Sequence, residues 1–250
     1  MTTPKRGPWQ KFVRATKKPV WYAVHRLTGI SMERPVQFWD MSMFGGEFRL
    51  GVEQAAQLVP DERFLASVRE DGLARCQVIA LEYRYADIMY PYNEVAVAIP
   101  GRMQGVDRDG ELVCYIHLPV TSEDARWSGV EIYGFPKYLA AIEFEETEAD
   151  VTCSLAVGGE EMLALQASQG ETRKDEWVVE NVTFLKGEPI LSFFRCVGQR
   201  YASAAPGGAQ LKLGPHRLAE GLRAAEIELE SVSHFHCPTM SATLSKPQRL

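Results

Sequence analysis

The feature that most constrains the fold is a succession of short alternating apolar segments, separated by turn signals, between Cys76 and His236. Side chains on a strand point alternately to two faces, so segments of this kind need a sheet with at least one face buried. Cys76–Tyr85 and Glu94–Pro100 read as strands. In the second, Val95, Val97 and Ile99 alternate with Ala96 and Ala98, which suits burial on both faces. Asp107-Arg108-Asp109-Gly110 is a turn, and Glu111–Val120 returns as the other arm of a hairpin. Ala140–Glu145, Val151–Val157, Glu161–Ala167, Trp177–Phe184, Ile190–Gly198, the region of Leu211 and Ile227–His236 add further strands, with Gly158-Gly159 as a turn. Residues 202–209 are rich in Ala, Ser, Pro and Gly and read as a loop.

Helices are few. Val52, Ala55, Ala56 and Val59 recur at helical spacing before Pro60. Thr121-Ser122-Glu123-Asp124 offers a hydroxyl cap and first-turn acids for a helix running towards Tyr133, and His216–Ala225 suits a short helix. Many strands with few helices predict an α+β, mainly β architecture, a barrel or sandwich decorated by helices.

Charge divides the chain. Residues 1–35 carry eight Lys or Arg against the single Glu33, whereas the whole chain has a net charge of −6. This reads as a basic N-terminal extension, 1–35, ahead of one domain, 36–250. The extension packs on a neighbouring subunit or stays unattached; the acidic body and the lack of a recognised module argue against nucleic acid as a partner. No run of 18 apolar residues occurs, so no membrane span is expected, and the first residues lack the apolar stretch of a signal peptide. Five scattered cysteines suit reduced thiols in a cytoplasmic protein better than a disulfide framework.

Chemistry concentrates in Gly129-Val130-Glu131-Ile132-Tyr133-Gly134-Phe135-Pro136-Lys137. Pro136 fixes φ and biases Phe135 towards extended geometry, so the chain turns there in a defined way and delivers Lys137 among Tyr133, Phe135, Tyr138 and Leu139. A lysine in such surroundings is a candidate for a desolvated, nucleophilic amine. His234 and His236 share one face of their strand and could share a metal, but no third and fourth ligand stands at a recognised spacing. A strand or rim position is the simpler reading.

Three blocks in register resemble the acetoacetate decarboxylase superfamily: Gly129-x-Glu131 followed by Gly134-Phe135-Pro136-Lys137, Tyr92-Asn93-Glu94 with Ala98-Ile99-Pro100, and Gly214-Pro215-His216-Arg217-Leu218. The resemblance spans about residues 38–245. It implies a cone-shaped, mainly antiparallel β-barrel with surrounding helices, assembled as a homo-oligomer, and a lysine that forms a Schiff base with an oxo acid. On that carry-over Lys137 is the nucleophile and Glu94 the acidic group of the same cavity, lined for substrate by Tyr92, Tyr133, Phe135, Tyr138 and Met41. No cofactor or metal is implied, because the lysine imine is itself the electron sink.

The sequence also departs from the family. A second lysine that follows the nucleophile is Tyr138 here, the family arginine near the N-terminus falls at or near Met41, and the arginine after the motif glycine is Val130. These changes favour a divergent lyase acting on a small oxo acid, by decarboxylation or by aldol condensation and dehydration. The alternative is a non-catalytic barrel that binds an apolar or keto-bearing ligand. Arg195 and Arg200 are candidates to hold a carboxylate in place of the missing arginine, or else surface salt-bridge partners.

Overall fold

The computed structural model describes residues 35–87 and 89–250; the basic extension therefore lies outside the described residues except for Pro35. Residues 35–250 form one compact unit. Its strands are β1 (Val36–Leu50), β2 (Phe64–Ala66), β3 (Ala74–Ala86), β4 (Tyr92–Met103), β5 (Leu112–His117), β6 (Ala141–Glu146), β7 (Asp150–Val157), β8 (Glu160–Ser168), β9 (Arg173–Leu185), β10 (Glu188–Ser203), β11 (Ala209–Leu213), β12 (Ser233–Leu244) and β13 (Gln248–Arg249). Three short helices join them: α1 (Val52–Leu58), α2 (Glu123–Tyr133) and α3 (Glu220–Ala224).

Seven strands close into a barrel in the order β12-β1-β3-β4-β5-β9-β10, with β10 pairing back onto β12. Closure removes the free edges that an open sheet would expose. The barrel is mixed rather than wholly antiparallel, because β5 and β9 run parallel through Leu112–Glu180, Val113–Asn181 and Cys114–Val182. Strands β11-β8-β7-β6 make a separate antiparallel sheet.

Two apolar cores follow from strand alternation. On β4, Val95, Val97 and Ile99 join Phe44, Phe48, Val78 and Ala80 of the neighbouring strands, against Leu155, Met162, Leu163 and Leu165 of the second sheet. The opposite face of the same strands, with Met41, Met43, Leu81, Tyr83, Tyr92 and Ala96, joins Tyr133, Phe135, Cys196, Cys237 and Met240 in the other core. Burial on both faces of β4 is what its two-sided apolar pattern requires.

The differences from the sequence reading have local causes. Strand β1 gives no clean alternating signal, and its register shifts between Phe38 and Met43 explain why. Strand β12 begins at Ser233 rather than Ile227 and runs to Leu244 through Pro238. That proline sits where the β1 register slips between Met41 and Met43, and a bulge spares the strand the N–H that proline lacks. The 202–209 loop is shorter than expected, since β10 continues to Ser203 and β11 begins at Ala209. Helix α2 starts with Glu123 and Asp124 as expected, but Ser122 makes no side-chain cap, and the Thr121 hydroxyl instead accepts the Asn93 N–H at 2.9 Å. Tyr85, at the end of the expected Cys76–Tyr85 strand, is 59% exposed.

All five thiols are free and buried, and burial pushes Cys76, Cys114, Cys153 and Cys237 up to about 12 and Cys196 higher still. Burial also lowers His117 from 6.5 to about 4, beside the Tyr138 hydroxyl 3.4 Å from its Nδ1. Below pH 6.5 the unfolded chain takes up a proton that folded His117 refuses until about pH 4. Stability contributed by the neutral imidazole is present above pH 6.5 and lost as pH falls through this window, on the order of 3 kcal/mol. Urea unfolding of wild type and His117→Asn between pH 7 and pH 4 checks this: the variant is expected to lose less stability on acidification.

Candidate active site

The site is assembled by a chain of backbone contacts around Val120. Glu94 on β4 bridges to Val120, and Val120 bridges in parallel to Leu139. The Val120 N–H donates to the Tyr138 carbonyl at 2.9 Å, and the Ala140 N–H donates to the Val120 carbonyl at 3.0 Å. Val120 thus lies between β4 and the segment that carries Lys137, and brings the lysine beside the carboxylate.

Helix α2 ends so that this segment can turn. Gly134 adopts a left-handed conformation with φ 65°, and the Phe135 N–H returns to the Gly129 carbonyl at 3.0 Å. Phe184 and Leu185 backbone crowd the place where a Gly134 Cβ would stand, so both conformation and space call for glycine. After Pro136 the Lys137 N–H donates to the Phe135 carbonyl at 2.8 Å, a tight turn matched to the fixed φ of proline.

Lys137 and Glu94 then meet inside the second core. Nζ donates to Glu94 Oε2 at 2.5 Å, and the two side chains are only 8% and 7% exposed. The ammonium lies 5.7 Å from the Tyr92 ring centroid and 5.5 Å from that of Phe135. Tyr83 donates its hydroxyl to Glu94 Oε1 at 3.1 Å and stacks on Tyr92 with centroids 4.4 Å apart. Both Glu94 oxygens are therefore engaged, one by a cation and one by a phenol.

Three phenols are kept protonated around this carboxylate. Burial first, then the Glu94 charge, raises Tyr83, Tyr92 and Tyr115 well above the ordinary phenol range. Tyr115 donates to Asn181 Oδ1 at 2.7 Å and packs edge-on against Phe135. Neutral phenols can donate to a developing oxyanion without bringing a second negative charge near Glu94. The arrangement is a single buried acid–amine couple walled by aromatic rings.

These blocks carry a family signature as well as a geometry: the model of the acetoacetate decarboxylase family matches residues 26–246. The chain belongs to the acetoacetate decarboxylase family. Among solved structures it resembles an enduracididine biosynthesis enzyme, MppR, complexed with pyruvate, at TM-score 0.65 and 11% identity over 89% of this chain and 93% of that one. It also resembles the acetoacetate decarboxylase of Legionella pneumophila, at TM-score 0.61 and 18% identity over 86% and 87% of the two chains. A third likeness is to an acetoacetate decarboxylase-like enzyme from Sphingomonas wittichii RW1, at TM-score 0.58 and 15% identity over 88% and 94%. At these identities the likeness establishes the fold. No curated protein matches the sequence.

Of the residues this acetoacetate decarboxylase family member offers from sequence, Lys137, Glu94, Tyr92, Tyr133, Phe135 and Met41 share one core. Tyr138 does not. Its ring packs on the other core, with the hydroxyl 3.3 Å from Met162 Sδ and 3.4 Å from His117 Nδ1. Neighbouring residues on an extended segment face opposite sides, and Lys137 takes the inward one. Tyr115 was missed, although alternation with Cys114 and Ile116, both on the other core, places it inward. His234 contacts the Ser168 hydroxyl at 3.2 Å, and among the described residues no group of three or more His, Cys, Asp or Glu is placed to hold a metal. Arg195 is a surface pair with Glu176 at 3.5 Å.

Gly129 sits in the middle of α2, directly under the lysine stem. A Cβ there would come within 2.4 Å of Lys137 Cδ and 2.7 Å of Cε. Helix propensity alone favours alanine over glycine by about 1 kcal/mol, so the glycine serves the lysine rather than the helix. Gly129→Ala is expected to keep the thermal midpoint within a few degrees while cutting lysine-dependent turnover at least tenfold. Full activity in that variant would contradict the steric assignment.

Proposed function

We propose that the protein is a Schiff-base-forming lyase in which Lys137 attacks the carbonyl of a small oxo acid and Glu94 moves the protons. The observation that carries this reading is the 2.5 Å Lys137–Glu94 contact inside an aromatic-walled core. Proton transfer across that contact to Glu94 frees the amine, whose lone pair adds to the carbonyl carbon. Glu94 then returns the proton to the departing hydroxyl, which leaves as water and generates the iminium.

The iminium accepts an electron pair. In a 3-oxo acid it takes the pair released when the carboxylate leaves as CO2. In a 2-oxo acid it takes the pair of an α C–H bond, and the enamine adds to an aldehyde before dehydration. Either sequence ends when water hydrolyses the imine and restores the amine. Tyr83, bonded to Glu94, holds that carboxylate in register with Nζ, and neutral Tyr92 and Tyr115 are available to donate to the substrate oxygen. Apolar walls exclude water, which strengthens each of these interactions.

The setting follows from the same surfaces. Buried free thiols support a reducing, cytoplasmic environment. Exposed Trp39 and Tyr85, on neighbouring strands joined through Asp40–Tyr85, support assembly with further copies of the chain.

Product analysis tests the reaction. Acetoacetate is expected to yield acetone and CO2, or pyruvate with an aldehyde an unsaturated condensation product, and Lys137→Met loses whichever is seen. Glu94→Gln is expected to slow it on the order of 10²–10⁴-fold, the usual share of general acid–base catalysis. Removing one charge of a buried pair strands the other, so the double variant Lys137→Met/Glu94→Gln is expected to fold at least as stably as either single variant. Turnover retained without Lys137 would overturn the proposal.

A further inference from the structure

Arg200 is a further cation beside the core that holds Lys137. Its guanidinium carbon lies 4.9 Å from the Trp177 ring centroid and 5.5 Å from that of Phe235, and both rings pack against that core. It shares a strand face with Cys196, four residues earlier and fully buried in the same core. The thiols of Cys196 and Cys237, both members of the core, feel its charge.

The barrel sets Arg200 across from the lysine. Starting at β4, which carries Glu94, β10 is reached after β5 and β9 in one direction and after β3, β1 and β12 in the other. In a closed seven-strand barrel these are facing walls, so groups directed inward from β4 and β10 approach the same interior from opposite sides.

Arg200 is 29% exposed at its side chain, yet one of its donors is buried without a partner. Nη1 bonds Asp175 Oδ2 at 3.1 Å, while Nε is buried and has no hydrogen-bond partner. A buried donor without a partner is uncommon and calls for a cause. The Trp177 and Phe235 rings lie within 5.5 Å of the guanidinium carbon, and the unpartnered Nε belongs to an edge of the kind that receives a carboxylate in a bidentate manner.

Building on the lysine-imine reading, we propose that Arg200 anchors a second anionic group of the substrate, making the preferred substrate an oxo diacid with its distal carboxylate several bonds from the carbon attacked by Lys137. A monoacid such as pyruvate would reach the lysine but leave the arginine edge empty.

The test uses the full chain. Borohydride inactivation is titrated with pyruvate, 2-oxobutyrate, 2-oxoglutarate and 2-oxoadipate, in wild type, Arg200→Gln and Arg200→Lys, with thermal unfolding as the folding control. Glutarate, which has no carbonyl and cannot form an imine, is titrated separately by calorimetry. Arg200→Gln is expected to raise the half-maximal concentration of the better diacid about tenfold further than that of either monoacid, to weaken glutarate by a similar factor, and Arg200→Lys to restore part of both. Equal shifts for monoacids and diacids, or no shift, overturn the anchor while leaving the lysine reading intact. Glutarate binding that depends on Arg200, with no oxo acid trapped, retains the anion site and overturns the lysine reading. Glutarate binding unaffected by Arg200→Gln overturns the anchor.

Discussion

The hydrogen-bonded ion pair between Lys137 and Glu94 is the interaction around which the barrel interior is arranged. Such a pair is a poor source of stability, because desolvating two charges offsets most of their attraction. It stands at 2.5 Å with both side chains almost sealed from solvent, so its energetic role is not the reason to expect it there. The surrounding features each serve it: Val120 as the spacer between β4 and the lysine segment, Gly134 as the turn, Gly129 as the gap for the lysine stem, and Tyr83 as the second ligand of the carboxylate.

Division of labour between the two cores makes this possible. The outer core, where β1, β3 and β4 pack on the four-stranded sheet, is filled by Phe44, Phe48, Leu155, Leu163 and Leu165 and supplies conventional apolar burial. The inner core accepts a charged pair and several phenols because the other faces of the same strands are already secured. Alternation along a single strand such as β4 thus puts Val95 and Val97 into the first core and Tyr92 and Glu94 into the one that holds the ion pair. A one-residue slip of that strand would exchange the two sets.

Much of this was legible in the sequence because it rests on local patterns. Period-two alternation marked β3 to β9, and a proline next to a lysine after a glycine marked the turn that carries Lys137. What was hidden depends on long-range geometry. The parallel pairing of β5 with β9 joins segments far apart in the chain, and the bulges of β1 and β12 blur alternation where Pro238 would otherwise argue against a strand. Tyr138 illustrates the limit within the site: adjacency to Lys137 suggested a shared cavity, but extended geometry sends the two side chains to different cores. Arg200 shows the reverse, a residue read as a choice between salt bridge and anion site that proves to have a salt bridge to Asp175 and an unpartnered buried donor as well.

The site at which a carbonyl compound becomes covalently attached decides the role of Lys137. The direct measurement is peptide-mapping mass spectrometry of protein reduced with borohydride in the presence of pyruvate, acetoacetate and 2-oxoglutarate. A reduced adduct confined to the peptide containing Lys137, and absent when Glu94→Gln slows imine formation, is the expected result. An adduct spread over surface lysines, or none at Lys137 with any of the three acids, would contradict the assignment of this lysine as the electron sink.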